Sequence, residues 1–233
     1  MTDDQLHPIG EMVQVRVLCQ LDDSESACFS GEIVGSGDAV GSFTPGDLVA
    51  GFGSVSGLAE VPAADLLPAP PELGPERAVM LPPLTLTIRA ARLARMHRGE
   101  RTLLIGTGSV ARLAQVALEA SGASVCMLSE TTEILPIDGA TLAIDTTGDP
   151  TVIVRLFEQM PKLARIVLTG PGKQRTRDVD LYRTIHLRGL EVIGVAAFSP
   201  GALQEDLVDA AELLLAQGAS LQLPHTGHPR LQQ

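Results

Sequence analysis

Residues 101–130, RTLLIGTGSVARLAQVALEASGASVCMLSE, constrain the fold more tightly than any other stretch of the chain. An apolar run through Leu103, Leu104 and Ile105 enters Gly106-Thr107-Gly108-Ser109-Val110-Ala111. A helical apolar period follows as far as Gly122, and a second apolar run begins at Ser124. Strand, glycine turn, helix and strand form the βαβ unit from which open parallel sheets are wound. The loop fits G-x-G-x-x-G/A, with Gly106 at the tight turn, Gly108 where backbone approaches a pyrophosphate, and Ala111 where helix meets strand. Thr107, Ser109 and Val110 lie between them at the start of the helix, whose free N–H groups would face the phosphates. Without a ligand the same residues would be only a tight turn between packed elements.

The end of the second strand bears on which dinucleotide would fit. An acid about twenty residues beyond the loop accepts the ribose hydroxyls of NAD, and here that position falls on Ser129 and Glu130. Ser129 is no carboxylate, which weakens NAD. Glu130 and Glu133 would repel a 2′-phosphate, and no arginine lies nearby in sequence to receive one, so NAD is favoured over NADP. At the ends of later strands Thr147, Thr169 and Gly170 would line the same crevice.

The remaining pattern divides the chain. Residues 11–68 are β-rich, with MVQVRVLC alternating and Pro45-Gly46-Asp47 forming a turn. Residues 61–83 carry seven prolines and read as a linker with one short helical turn. From residue 84 onward helix and strand alternate, which predicts a parallel sheet covered on both faces. LQEDLVDAAELLLAQG is a terminal amphipathic helix ending at Gly218. The expected domains are 1–83, a small β-rich unit; 84–200, the dinucleotide-binding unit; and 201–233, a helix and tail returning to the first.

Composition narrows the partners. A formal charge of −11 disfavours a nucleic-acid backbone or an anionic membrane, both of which need clustered positive charge. The cluster Arg89, Arg92, Arg95, His97, Arg98 and Arg101 reads as a solvated helix face. Three cysteines, Cys19, Cys28 and Cys126, fit neither a disulfide framework nor a zinc knuckle. With an acidic N-terminus and no apolar run of about eighteen residues, a cytoplasmic protein is expected.

GEMVQVRV, SGEIVGSGDAVGSFTPGDLVAGF, ERAVMLPPLTLTIRAA, RTLLIGTGSVARLAQVAL, IDTTGD, ARIVLTG and GLEVIGV occur in the order found in the medium-chain dehydrogenase/reductase superfamily, which nearly the whole chain resembles. The resemblance implies a GroES-like catalytic domain joined to a Rossmann domain, with a small-molecule substrate and nicotinamide meeting between them, and a homodimer paired through the GLEVIGVAAF strand. Two departures stand out. FSGE replaces the expected Gly-His-Glu zinc motif, and no histidine lies between His7 and His97, so no metal site is expected. Between the second strand and GATLAIDTTG only ETTEILPID remains; these nine residues are expected to be too short for a parallel crossover of about a dozen, leaving a shortened sheet.

Candidate catalytic residues are Asp22 and Ser24 in DDSES, which also reads as a polar turn, with Thr87 and Tyr182. Thr87 matches the superfamily's small polar residue at the start of the helix linking the domains, where it would serve equally as an N-cap. Tyr182 would donate a proton only if its segment folds over the site, and Asp145 orients a loop rather than reacting. The expectation is a zinc-independent NAD(P)-dependent oxidoreductase for a carbonyl, alcohol or activated alkene of a small apolar substrate. The alternative is a non-redox descendant of that fold: a cyclase, dehydratase, isomerase or ligand-binding protein.

Overall fold

The computed structural model describes residues 10–21, 27–172, 179–195 and 204–217. They fall into two compact units, one holding 10–21, 27–82 and 204–217, the other 83–172 and 179–195.

The first unit is an antiparallel sheet. Its strands are β1 (Met12–Leu21), β2 (Cys28–Ser36), β3 (Leu48–Phe52), β4 (Leu58–Pro62) and β5 (Leu66–Pro68), in the order β4-β1-β2-β3-β5. Along β1 every second residue, Val13, Val15, Val17, Cys19 and Leu21, is buried, the period of a strand with one covered face. Val13, Val15 and Val17 pack with Phe29, Ile33, Phe43, Val49 and Val61 as the core. The segment expected to be a proline linker is more ordered than that. It contributes β5, two 3-10 turns and the short helix α1 (Pro75–Ala78). Its prolines are accommodated because β4 and β5 are the sheet's two edges and Pro62 and Pro68 end them, where a missing N–H costs no ladder bond.

In the second unit α2 (Leu81–Leu93) starts three residues before the expected position, holding Pro82 and Pro83 in its first turn, where prolines lose no intrahelical bond. There follow β6 (Arg101–Ile105), α3 (Ser109–Ala120), β7 (Ser124–Leu128), β8 (Leu142–Asp145), α4 (Pro150–Gln159), β9 (Arg165–Leu168), α5 (Leu181–Thr184) and β10 (Glu191–Gly194). The five strands are parallel, in the order β10-β9-β8-β6-β7. Leu103, Leu104 and Ile105 of β6, and all of β8, are buried, as central strands covered on both faces must be. The edge strands β7 and β10 are half exposed. The last described helix, α6 (Gln204–Gln217), belongs to the first unit and lies beside the 3-10 turn Pro71–Leu73.

The crossover from β7 to β8 differs from the expectation. Both strands run parallel to β6 on its two sides, so residues 129–141 must return the chain from the end of β7 to the start of β8. No helix is needed. Strands of four or five residues rise only about 17 Å, and thirteen extended residues reach about 40 Å. The nine residues ETTEILPID therefore carry a parallel crossover once Ser129 and the residues at 139–141 extend them. Leu135 anchors it in the core formed by Leu103, Ile105, Val152, Leu156 and Phe157.

Candidate functional site

The chain leaves β6 for β7 on one side and then crosses to β8, β9 and β10 on the other. The ends of β6 and β8 therefore flank a topological switch point, where open parallel sheets bind ligands. Three loops meet there, and each begins at a strand end.

The first is the glycine loop. Gly106 is buried, donates its N–H to the Leu128 carbonyl at 2.9 Å, and turns the chain at φ +133°, a backbone that residues with a side chain rarely adopt. Gly108 is the N-cap of α3 at φ −70°, ψ −176°, and no side chain caps the helix. The first bond of the helix ladder runs from Arg112 N–H to Gly108 O at 3.1 Å, so the amides of the preceding turn lie outside the ladder at the positive end of the dipole. Thr107 is exposed, Gly108 and Ser109 are partly so, and Val110 is buried against the sheet. These features fit a pyrophosphate.

The second and third loops follow β8 and β9 and are joined through Asp145. Its side chain is fully buried. Oδ1 accepts from the Thr147 hydroxyl at 2.7 Å and the Thr147 amide at 3.0 Å, and Oδ2 accepts from the Gly148 amide at 3.1 Å. Its carbonyl accepts from the Thr169 hydroxyl at 2.8 Å, the Thr169 amide at 2.9 Å and the Gly170 amide at 3.1 Å. Burial pushes the Asp145 carboxyl above its ordinary value, with the hydrogen bonds from Thr147 and Gly148 pulling the other way. The sequence-predicted Thr147, Thr169 and Gly170 are thus brought together by one residue. The loops also touch: a Cβ at Gly148, itself at φ +65°, would run into the Pro171 carbonyl, and one at Gly170 would lie 2.7 Å from the Thr146 carbonyl.

Ser129 and Glu130 open the crossover. Ser129 Oγ lies 3.0 Å from Thr131 Oγ1 and accepts from the Thr131 amide at 3.2 Å, while Glu130 is exposed. Sequence reasoning missed what holds this segment. Arg155 of α4 donates to the carbonyls of Glu130 and Thr132, and Gln159 donates to that of Glu133 while accepting from the Leu135 amide. An arginine absent from the neighbouring sequence is present in space, because α4 packs under the crossover.

The catalytic candidates do not converge in the same way. Asp22 and Ser24 lie outside the described residues. Thr87 sits in the middle of α2, 5% exposed, and its hydroxyl donates to the Pro83 carbonyl one turn back at 2.8 Å. Its expected N-cap role is corrected: the helix starts six residues before it, so the hydroxyl meets a carbonyl and not a free amide. Tyr182 is 61% exposed and stacks on His186 with ring centroids 4.7 Å apart. Cys19 and Cys28 are buried cysteines in β1 and β2 that form no disulfide, and burial, reinforced by Glu76, pushes the Cys19 thiol up. Among the described residues no three His, Cys, Asp or Glu side chains are grouped to hold a metal, and no helix is long and apolar enough to cross a membrane.

Solved structures share this architecture. A quinone oxidoreductase from Escherichia coli complexed with NADPH aligns with a TM-score of 0.70 at 17% identity, over 94% of this chain and 83% of that one. A Pseudomonas syringae pv. Tomato DC3000 quinone oxidoreductase gives 0.69 at 20%, over 97% and 86%. The chain has the medium-chain dehydrogenase/reductase fold. Galactitol-1-phosphate dehydrogenase from Escherichia coli shares that fold with a TM-score of 0.66 at 18% identity, over 92% and 85%. No family model matches the sequence, and no curated protein matches it significantly. In this dehydrogenase/reductase fold the antiparallel sheet is the GroES-like part and the five-stranded parallel sheet the Rossmann part.

Proposed function

We propose that the chain is a nicotinamide-dinucleotide-dependent, zinc-independent oxidoreductase acting on a carbonyl, alcohol or activated alkene of a small apolar substrate. The observation that carries this reading is the glycine loop at the switch point, with Gly106 in a glycine conformation and Gly108 as a bare N-cap. A backbone of that shape admits a pyrophosphate closely and meets it with N–H groups. Bound nicotinamide would supply the hydride.

The chain's own residues would bind and orient. The α3 N-terminus would hold the pyrophosphate, and the crossover at Ser129–Thr131 would meet the adenosine end. The loops joined by Asp145 would form the wall beside the nicotinamide half, fixed by six hydrogen bonds and so pre-organised. Zinc independence is supported by the ligand count: FSGE stands where a Gly-His-Glu motif would supply a histidine, and no histidine lies between His7 and His97 to complete a set with Cys19 and Cys28.

Fluorescence titration of the purified chain with NADH and NADPH tests the reading. Saturable binding of either at micromolar concentration supports it. Failure of both at millimolar concentration would replace it with a non-redox role for the fold.

A further inference from the structure

Arg155 lies on the second turn of α4 and reaches to the segment leaving β7. Its Nη1 donates to Glu130 O at 2.9 Å and to Thr132 O at 2.8 Å. That nitrogen carries two hydrogens, and the two carbonyls use both. The other edge of the guanidinium, Nε and Nη2, has no partner among the described residues, and no carboxylate there is paired with it. One edge is fixed and the other is open. A planar fork held in this way is set to meet a phosphate with two parallel hydrogen bonds.

Its location gives that open edge a meaning. The carbonyls it holds follow directly on β7, where the adenosine ribose of a dinucleotide would lie. Recognition of an unmodified ribose calls for a carboxylate at the strand end, and here Ser129 stands there with its hydroxyl beside that of Thr131. Hydroxyls donate to phosphate oxygens as readily as to water. Glu130 and Glu133 are the opposing groups, but both are exposed, so they act on a phosphate through water and counterions, whereas the guanidinium would touch it.

We infer that Arg155, with the Ser129–Thr131 hydroxyl pair, is a receptor for a 2′-phosphate, so that the dinucleotide selected is NADP(H). The inference rests on the dinucleotide reading above. It reverses the preference for NAD drawn from the sequence, because the cation comes from α4, twenty-five residues beyond Glu130.

The competing account makes Arg155 a structural tie and nothing more. Gln159 separates the two, since it anchors the same crossover at Glu133 and Leu135 and remains when Arg155 is replaced. The experiment measures NADPH and NADH affinity, by fluorescence or calorimetry, for the full chain and for Arg155→Gln, Arg155→Lys and Glu130→Gln, with thermal unfolding of each. Wild type should bind NADPH about tenfold or more tighter than NADH, the weight of a charge-assisted hydrogen bond. Arg155→Gln should lose most of that ratio by weakening NADPH alone, Arg155→Lys should keep part of it, and Glu130→Gln should raise it. The ratio should also shrink with added salt.

NADH binding as tightly as NADPH in wild type would overturn the inference and leave the dinucleotide reading intact. Equal weakening of both nucleotides in Arg155→Gln, with a lower unfolding temperature, would also overturn it and make the residue a tie. Failure of every variant and of wild type to bind either nucleotide would instead remove the dinucleotide reading itself.

Discussion

Replacing Gly148 with alanine tests whether the loops after β8 and β9 are as closely fitted as the site requires. Gly148 has φ +65°, and an added Cβ would run into the Pro171 carbonyl oxygen, lying 2.6 Å from its carbon and 3.1 Å from that of Gly170. Gly139, in the crossover, has a similar φ of +72° but nothing within 4 Å of the same Cβ. The pair separates conformation from contact. A left-handed backbone costs an alanine about 1–2 kcal/mol, offset by about 0.4–1 kcal/mol from the stiffer unfolded chain, so Gly139→Ala should destabilise by about 0–1.6 kcal/mol. Gly148→Ala adds the displacement of backbone, for which overpacking costs of about 1–3 kcal/mol apply, giving a total of about 1–4.6 kcal/mol. At about 2–4 °C per kcal/mol for a chain of this size, the two variants should differ in unfolding temperature by several degrees. Thermal unfolding followed by circular dichroism reads the difference, and dinucleotide titration should show weakened binding for Gly148→Ala only. Equal unfolding temperatures would refute the close approach of the two loops.

Other outcomes follow from the same contacts. At the opposite end of the strands Glu100, 2% exposed, accepts from Arg165, from the Thr141 hydroxyl at 2.5 Å and from the His97 amide at 3.2 Å. Glu100→Ala strands the Arg165 charge and should cost about 3–5 kcal/mol in urea unfolding, with the NADPH-to-NADH affinity ratio unchanged. For Asp145 the folded pKa lies above its ordinary 3.8, so its contribution to stability is fully present below that pH and falls as pH rises through the folded value. The stability of wild type relative to Asp145→Asn should therefore decline as pH rises from about 4, and unfolding across a pH series would show a flat or rising difference if the reading is wrong. β10 pairs only with β9 among the described residues and leaves Val192 36% exposed, so a homodimer through this edge is expected; Val192→Lys should move the light-scattering mass toward the monomer.

The local parts of this fold were legible in the sequence, and the parts missed are those set by distant contacts. Alternation in β1 and the strand-loop-helix period of 101–128 are read within a few residues, and both stand in the structure. IDTTGD pointed to Asp145 as a loop-orienting residue from its place at a strand end, and in the structure its carboxylate accepts from the Thr147 and Gly148 amides. The β7–β8 crossover was misjudged because only the nine residues ETTEILPID were counted; the connection runs over 129–141, thirteen residues, which meets the length of about a dozen without a helix. Prolines marked residues 61–83 as a linker, yet edge position, which only the sheet reveals, lets Pro68 end a strand. Nothing near Glu130 announced Arg155. Its role depends on α4 packing beneath a segment twenty-five residues earlier, and a helix face does not say what it will meet.

The central claim is that the loop at Gly106–Gly108 receives a dinucleotide, and Gly108→Asp tests it most directly. Gly108 has φ −70°, which aspartate adopts without strain, and at the N-cap of α3 its carboxylate would be a favourable cap. The fold should therefore keep its unfolding temperature or gain slightly. The carboxylate would nonetheless stand where the pyrophosphate must lie and repel it. Affinity for NADPH and NADH, measured beside thermal unfolding for wild type and variant, should fall by at least about a hundredfold, or roughly 2.7 kcal/mol, with the fold retained. Undiminished binding in a folded Gly108→Asp protein would contradict the account, since the nucleotide would then be held elsewhere.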